Sequence, residues 1–371
     1  KVCYIYVNVY MNRLLAIIRD VNVYVPLIDH IWKSGMKATI KDVARRAGVS
    51  IATVSRAINN VGPLREETRS RIISAIRELN YSPNAMGRGL VTSRTETLGV
   101  ILPDVHGEFF SELMRGIDQA ARARNYHIMI SSTHSEKSEI ESMLKHMRGG
   151  RVDGIIIMSP HVGSLELHGI IPRSLPVVLL NCCAQHALFD TVQINNFGGA
   201  YKMVKHLIGH GHERIAIIKG QENNYDALER YRGYRAALEE HGLPILSQLE
   251  VTGNFTEESG FAATRLLLNV YPRPTAIFAS NDAMAIGAIR ALHEAGLAIP
   301  EDVAIAGFDD IPMSRYLTPP LSSVHVPIFE LGAKAVERLF VSIDAKNKNP
   351  KQRILLDVDP IPRESCCHPK G

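Results

Sequence analysis

The sequence is poor in residues that would staple it or anchor it. Its five cysteines, Cys3, Cys182, Cys183, Cys366 and Cys367, fall as two adjacent pairs and a singleton, with no C-x-x-C spacing. Neighbouring cysteines rarely bridge each other and the count is odd, so neither a disulfide framework nor a zinc site is indicated. A reducing, cytoplasmic setting is expected. No apolar run approaches the ~18–20 residues of a membrane span, so no membrane partner is expected. The apolar leader, residues 1–35, is interrupted by Asn8, Asn12, Arg13, Arg19 and Asp20 and has no small-residue cleavage site, which argues against a signal peptide. Also missing are G-x-S-x-G, G-x-x-x-x-G-K-[ST], H-E-x-x-H and a three-glycine dinucleotide fingerprint. No enzyme activity and no cofactor are therefore expected.

What is present is an ordinary globular composition, 46% apolar and 22% charged, in 371 residues, enough for two or three compact units. The chain opens on Lys1, and Met36 directly precedes the first well-patterned stretch. Translation is expected to start at Met36, with 1–35 either not native or without structure. Charge is unevenly placed. Between Met36 and Thr95, eleven Lys or Arg stand against four acids, a local +7 in a chain whose net charge is +4. A basic segment on an otherwise acidic body suits a polyanion-binding module, because phosphate contacts supply most non-specific nucleic-acid affinity. A merely solvated basic face would look the same by charge alone.

Within that segment, "IKDVARRAG" places Ile40, Val43, Ala44 and Ala47 on one side of a helix that Gly48 stops. Ser50 is well placed as the N-cap of a second helix, "IATVSRAIN". A third, "EETRSRIISAIRELN", can close the pair through Ile72, Ile73, Ile76 and Leu79. Two short helices joined by a tight Gly-containing turn make a helix-turn-helix, although an ordinary helical hairpin has the same spacing. The polar outward residues Ser50, Thr53, Ser55 and Arg56 favour the former.

From Thr97 onward the pattern changes to short runs of Ile, Val and Ala, each followed by an amphipathic helix. This predicts an α/β body of parallel sheets covered on both faces. Ligands of such sheets sit beyond the carboxyl ends of the strands, where Asp104, Asn181, Asn281 and Asp309 fall. Each could equally cap a helix or make a turn. His206, His210 and His212 cluster in "KHLIGHGHERI" but match an ordinary helix-to-strand turn, so no metal is expected.

"TIKDVARRAGVSIATVSRAIN" and "YSPNAMGRGL", then "HLIGHGHERIAII", "RYRGY", "ASNDAMAIGAIRAL", "GLAIPEDVAIAGFDDIPMSRYLTPPLSSV" and "RESC", resemble in that order the LacI/GalR family of bacterial transcription regulators. The resemblance runs from about Met36 to Cys366. It implies an all-α helix-turn-helix head, 36–95, followed by a periplasmic-binding-protein-like body, 96–366, of two parallel-sheet subdomains. The first would take about 97–194 and 327–353, the second about 195–325 and 354–366.

The resemblance also implies roles. Ile51, Ala52, Thr53 and Arg56 would face bases, with Ser50 and Ser55 nearer phosphate and Asn59 closing the recognition helix. Arg56 can donate a bidentate pair to guanine, whereas Ile51 and Ala52 offer only apolar contact. A hinge helix, 84–91, would carry Asn84 and Arg88, and would wedge Leu90 into the minor groove. Gly87 and Gly89 depart from the family there, each lowering helix propensity by ~1 kcal/mol relative to Ala.

In the body, Phe109, Phe110, Asn181, Arg230, Phe255, Asn281 and Asp309 fall on effector-binding positions. The family's usual Asn-Pro ahead of the two phenylalanines is "HGE" here. The function implied is a homodimeric repressor of a pseudo-palindromic operator in double-stranded DNA, its affinity changed by a small effector, a sugar or sugar phosphate. A purine- or other metabolite-responsive regulator of the family, or a soluble sugar-binding protein that does not bind DNA, stand as alternatives.

Overall fold

The computed structural model describes residues 38–58, 62–81, 94–133, 137–147, 151–182, 188–346 and 348–366. The chain divides into two compact units at Val91/Thr92. The leader and the hinge segment 84–91 lie outside the described residues.

The first unit is three helices, α1 (Ile40–Ala47), α2 (Ile51–Ile58) and α3 (Glu66–Glu78). At the start of α1 the Asp42 carboxylate accepts from the Thr39 amide (3.0 Å) and hydroxyl (2.6 Å), satisfying a donor that the helix leaves open. Gly48 takes the left-handed conformation (φ 65°) that ends α1 and lets the chain reverse within two residues. Ser50 then caps α2, its Oγ accepting from the Thr53 amide at 3.1 Å. Glu66 and Glu67 in the first turn of α3 and Arg77 in its last complement the helix dipole. Val43, Ala44, Ala47, Val54, Ile72 and Ala75 form the shared core. Half of it is alanine, so the helices approach closely and very little chain suffices to bury it.

The second unit has two lobes. In the first, β1 (Thr97–Leu102), β2 (His127–Ser132), β3 (Gly154–Met158), β4 (Val177–Leu180) and β5 (Asp190–Ile194) pair in parallel with β11 (Arg353–Leu356), in the order β11-β5-β4-β3-β1-β2. Helices α4 (Glu108–Arg122), α5 (Lys137–Met147) and α6 (Ser164–Ile170) connect the early strands. In the second lobe, β6 (Ile215–Lys219), β7 (Glu250–Thr252), β8 (Ala276–Ala279), β9 (Ala304–Asp309) and β10 (Ser322–His325) are parallel, and β12 (Asp359–Ile361) adds an antiparallel edge. Its helices are α7 (Asn196–Gly209), α8 (Tyr225–Glu240), α9 (Glu257–Leu267) and α10 (Asp282–Glu294). A last helix, α11 (Ile328–Asp344), returns to the first lobe and packs on α4.

Strands β3, β4, β5, β8 and β9 are buried along their whole length, which is why β3, β4 and β8 read as near-continuous apolar runs with no alternation, while β5 also buries Asp190, Thr191 and Gln193. Where helices meet, glycines let backbones touch. A Cβ on Gly116 would stand 2.1 Å from the Phe329 carbonyl oxygen, and one on Gly332 would stand 2.4 Å from that of Leu113. The chain crosses between lobes three times, before Asn196, at Val326–Pro327 and at 357–358. The last crossing differs from the expected one after 353. Arg353–Leu356 hydrogen-bonds alongside β5 from Thr191 to Ile194, so this strand belongs to the first sheet.

Candidate functional site

On the head, burial of Val54 turns the opposite side of α2 outward. Ile51, 44% exposed, Ala52 and Arg56 are on the surface, and no described carboxylate pairs with Arg56. Exposed apolar and cationic side chains therefore share the solvent side of α2. Thr53 is half-buried, and its hydroxyl lies 2.8 Å from that of Ser50, so both hydroxyls take part in the cap. Ser55 is half-buried with a partner of its own. Arg45, its side chain 79% exposed, lies 3.4 Å from the Asp42 carboxylate one turn earlier, and Arg46 is tied to Glu78 at 2.5 Å. Asn59, Asn84, Arg88 and Leu90 lie outside the described residues.

In the body, the carboxyl ends of the strands in both lobes carry polar side chains. Arg230 on α8 is their centre and is 4% exposed. Its Nε donates to Asn196 Oδ1 (2.8 Å), its Nη1 donates to the Ser280 carbonyl (2.5 Å), and its Nη2 lies 3.3 Å from Asp309 Oδ1. The guanidinium also lies 3.8 Å above the Phe308 ring. Asp226, one turn before Arg230 on the same helix, accepts from Asn196 Nδ2 at 2.8 Å. Burial pushes Asp226 up to about 6 and Asp309 up to about 7, with the Arg230 charge opposing both. Asp282 is pushed up to about 7 by burial and by the nearby Asp309 charge, against hydrogen bonds from Ser323 (2.5 Å), Ser314 (2.7 Å) and the Ile311 amide (2.9 Å).

Several buried polar atoms at the strand ends make no hydrogen bond: Ser159 Oγ, His161 Nδ1, Ser280 Oγ and Asp309 Oδ1, the last held by Arg230 as an ion pair at 3.3 Å, while Asn181 lies close enough to Asp226 to lower its carboxyl. Buried polar groups are normally satisfied, so such a set implies that something else completes them. Hydroxyls, an imidazole nitrogen and a carboxylate oxygen at strand ends are groups suited to hydrogen-bonding a small hydroxyl-rich molecule.

Asn181 reaches this set from the end of β4 with its backbone at φ 42°, and its Oδ1 accepts from the Ile194 amide at 3.2 Å. Asn281 serves chiefly as the cap of α10. Its Oδ1 accepts from the Met284 amide (3.0 Å) and its Nδ2 donates to the Phe255 carbonyl (3.1 Å). Phe255, also at positive φ, is half-buried against Gly220. Phe109 and Phe110 meet edge to face at 5.4 Å and pack on the main core. The Asp104 carboxylate closes a local turn with the amides of Val105 and His106.

Sequence reading missed Asn196, Asp226, Ser159, His161, Ser280 and Phe308. For Asp226 a signal existed, since it stands four residues before Arg230 in a helical stretch. The histidine cluster divides, His212 being buried against Thr275 Oγ1 while His206 and His210 pack at 4.3 Å between ring centroids. Among the described residues no group of three or more His, Cys, Asp or Glu could hold a metal ion, and no helix is long and apolar enough to cross a membrane.

A three-helix head exposing a short second helix, followed by a two-lobed body whose strand ends carry an unsatisfied polar cluster, defines a class: DNA-reading proteins that respond to a small molecule. Residues 39–84 match the family model described as bacterial regulatory proteins, lacI family, and residues 204–366 match the periplasmic binding protein-like domain. The chain is 38% identical over 304 residues to the ribose operon repressor of Escherichia coli strain K12, covering 81% of this chain and 92% of that protein. It is 36% identical over 325 residues to the HTH-type transcriptional repressor PurR of Haemophilus influenzae strain PittEE, covering 87% and 96%. The crystal structure of the lac repressor dimer bound to operator and the anti-inducer ONPF superposes with a TM-score of 0.80 at 27% identity, over 90% of this chain and all of that one. The chain belongs to the lacI family of bacterial regulatory proteins. It is a DNA-binding transcriptional repressor with a ligand-binding effector domain.

Proposed function

We propose that this repressor binds a pseudo-palindromic operator as a homodimer and that its effector is an uncharged sugar bound at the strand ends between the lobes. The cluster of unpartnered buried atoms around Arg230 and Asp309 carries this reading. It offers both donors and acceptors, as sugar hydroxyls require, because each hydroxyl both gives and accepts. Charge argues against a sugar phosphate. The one arginine of the cluster is already engaged by Asn196, Ser280 and Asp309, and three buried aspartates, Asp226, Asp282 and Asp309, stand close by. A phosphate would enter a field of its own sign.

On the head, Ser50, Ile51, Ala52, Thr53, Ser55 and Arg56 form the surface that would contact DNA, with Arg56 the main base reader. Regulation is linkage: an effector that binds one arrangement of the lobes more tightly shifts the population and with it operator affinity. Thermal-shift titration with D-ribose, D-glucose, ribose 5-phosphate and hypoxanthine tests the effector class, and a salt-dependent gel shift on palindromic against random duplex tests the head. Stabilisation by a neutral sugar alone supports the reading. Stabilisation by the phosphate or by hypoxanthine alone sinks it.

A further inference from the structure

The two lobes also touch beside the candidate effector cluster. Glu108, the first residue of α4 in the first lobe, accepts from the Met313 amide of the second lobe, Oε2 to N, at 2.9 Å. Met313 lies in a short 3-10 turn, Pro312–Arg315, whose early amides have no partner within the turn. That turn is rigidly held. The Ile311 amide and Ser314 hydroxyl both donate to buried Asp282, and the Leu321 amide donates to the Ser314 carbonyl at 2.8 Å. It begins three residues after Asp309, beyond Asp310 and Ile311. At the other end, Gly107 at φ 86° turns the backbone into α4 and sets Glu108 immediately before Phe109 and Phe110. This is the "HGE" stretch in which the chain departs from its family. A second interlobe bond, from the Tyr225 amide to the Pro160 carbonyl at 2.9 Å, closes another point of contact between β3's exit and α8.

We propose that Glu108 is a latch that holds the two lobes together before any effector arrives. A carboxylate accepting a backbone N–H is among the stronger hydrogen bonds, and this one joins two elements that are each fixed in their own lobe. It therefore acts on the open-to-closed equilibrium of the whole body. Ligand affinity scales with the fraction of protein already in the competent arrangement, so the latch sets how much binding energy is used to close the lobes. The inference rests on the body alone and does not depend on the effector's being a sugar.

The test is hydrogen–deuterium exchange on the full-length protein without ligand, comparing wild type with Glu108→Ala and Glu108→Gln. Peptides containing Met313 and Tyr225 should both exchange about tenfold faster in the alanine variant, and near the wild-type rate in the glutamine variant, which keeps an acceptor oxygen. Unchanged exchange at Met313 in Glu108→Ala would show that no latch exists. Acceleration at Met313 without acceleration at Tyr225 would make Glu108 a local cap and overturn its control of closure.

Discussion

Replacing Arg230 with alanine should destabilise the body by ~3–5 kcal/mol, the usual cost of removing one partner from a buried ion pair. The side chain is 4% exposed and touches Asn196, Ser280, Asp309 and Phe308, so its loss strands an amide oxygen, a carbonyl and the Asp309 carboxylate, and removes the charge that opposes the raised Asp226. Most of the penalty comes from the uncompensated acids, and that makes it depend on pH. In the folded protein burial raises Asp226 to about 6 and Asp309 to about 7, even with Arg230 opposing. Carboxyls raised above their unfolded value hold more protons folded than unfolded. Stability therefore falls as pH rises through that window, by up to ~1.4 kcal/mol per pH unit for each proton.

In the wild type the window runs from the ordinary aspartate value of 3.8 to about 6 for Asp226 and about 7 for Asp309. Without the guanidinium both acids rise further and the window extends upward. Urea denaturation of both proteins at about pH 5.5 and about pH 8 should show the variant's deficit larger at the higher pH by at least ~1 kcal/mol. An equal deficit at the two pH values would refute the charge argument, and a deficit under ~1 kcal/mol at the higher pH would refute the buried ion pair itself.

Other substitutions separate the head from the body. Arg56→Ala should relax discrimination at one operator position by ~1–3 kcal/mol while leaving thermal stability unchanged, measured by competition gel shifts with single-base operator variants. Ser50→Ala removes the cap of α2 and should lower the stability of the head by ~1 kcal/mol, read as earlier thermal loss of helicity in a head fragment or of operator binding in the full chain. Gly332→Ala forces a methyl toward the Leu113 carbonyl and should cost the body ~1–3 kcal/mol in urea denaturation, with the α4–α11 contact loosened and the head unaffected.

Much of the architecture was legible because its causes are local. Gly48 and Ser50 specify the turn between α1 and α2 by conformational freedom and by capping, and the spacing of Val43, Ala47 and Val54 specifies which sides face inward. The unbroken apolar runs of β3, β4 and β8 announce strands covered on both faces. Arg230 and Asp309 were legible as candidate binding groups from their motifs. What each of them touches was not. Arg353–Leu356 reads as an ordinary edge strand, exposed on alternate residues, and nothing in its composition says which of two sheets it joins.

The chain by itself determined the helix-turn-helix geometry, the strand–helix alternation and the placement of polar residues at strand ends, since these follow from propensity, periodicity and capping within a few residues. Only the tertiary structure decided that Asn196 would bridge Asp226 and Arg230, that Arg230 would reach Asp309, that Asn281 would be occupied as a helix cap, and that Glu108 would reach Met313. Glu108 and Met313 stand 205 positions apart in the chain. Such meetings are set by three chain crossings that fold two sheets toward each other, and no local preference records where those crossings bring a side chain.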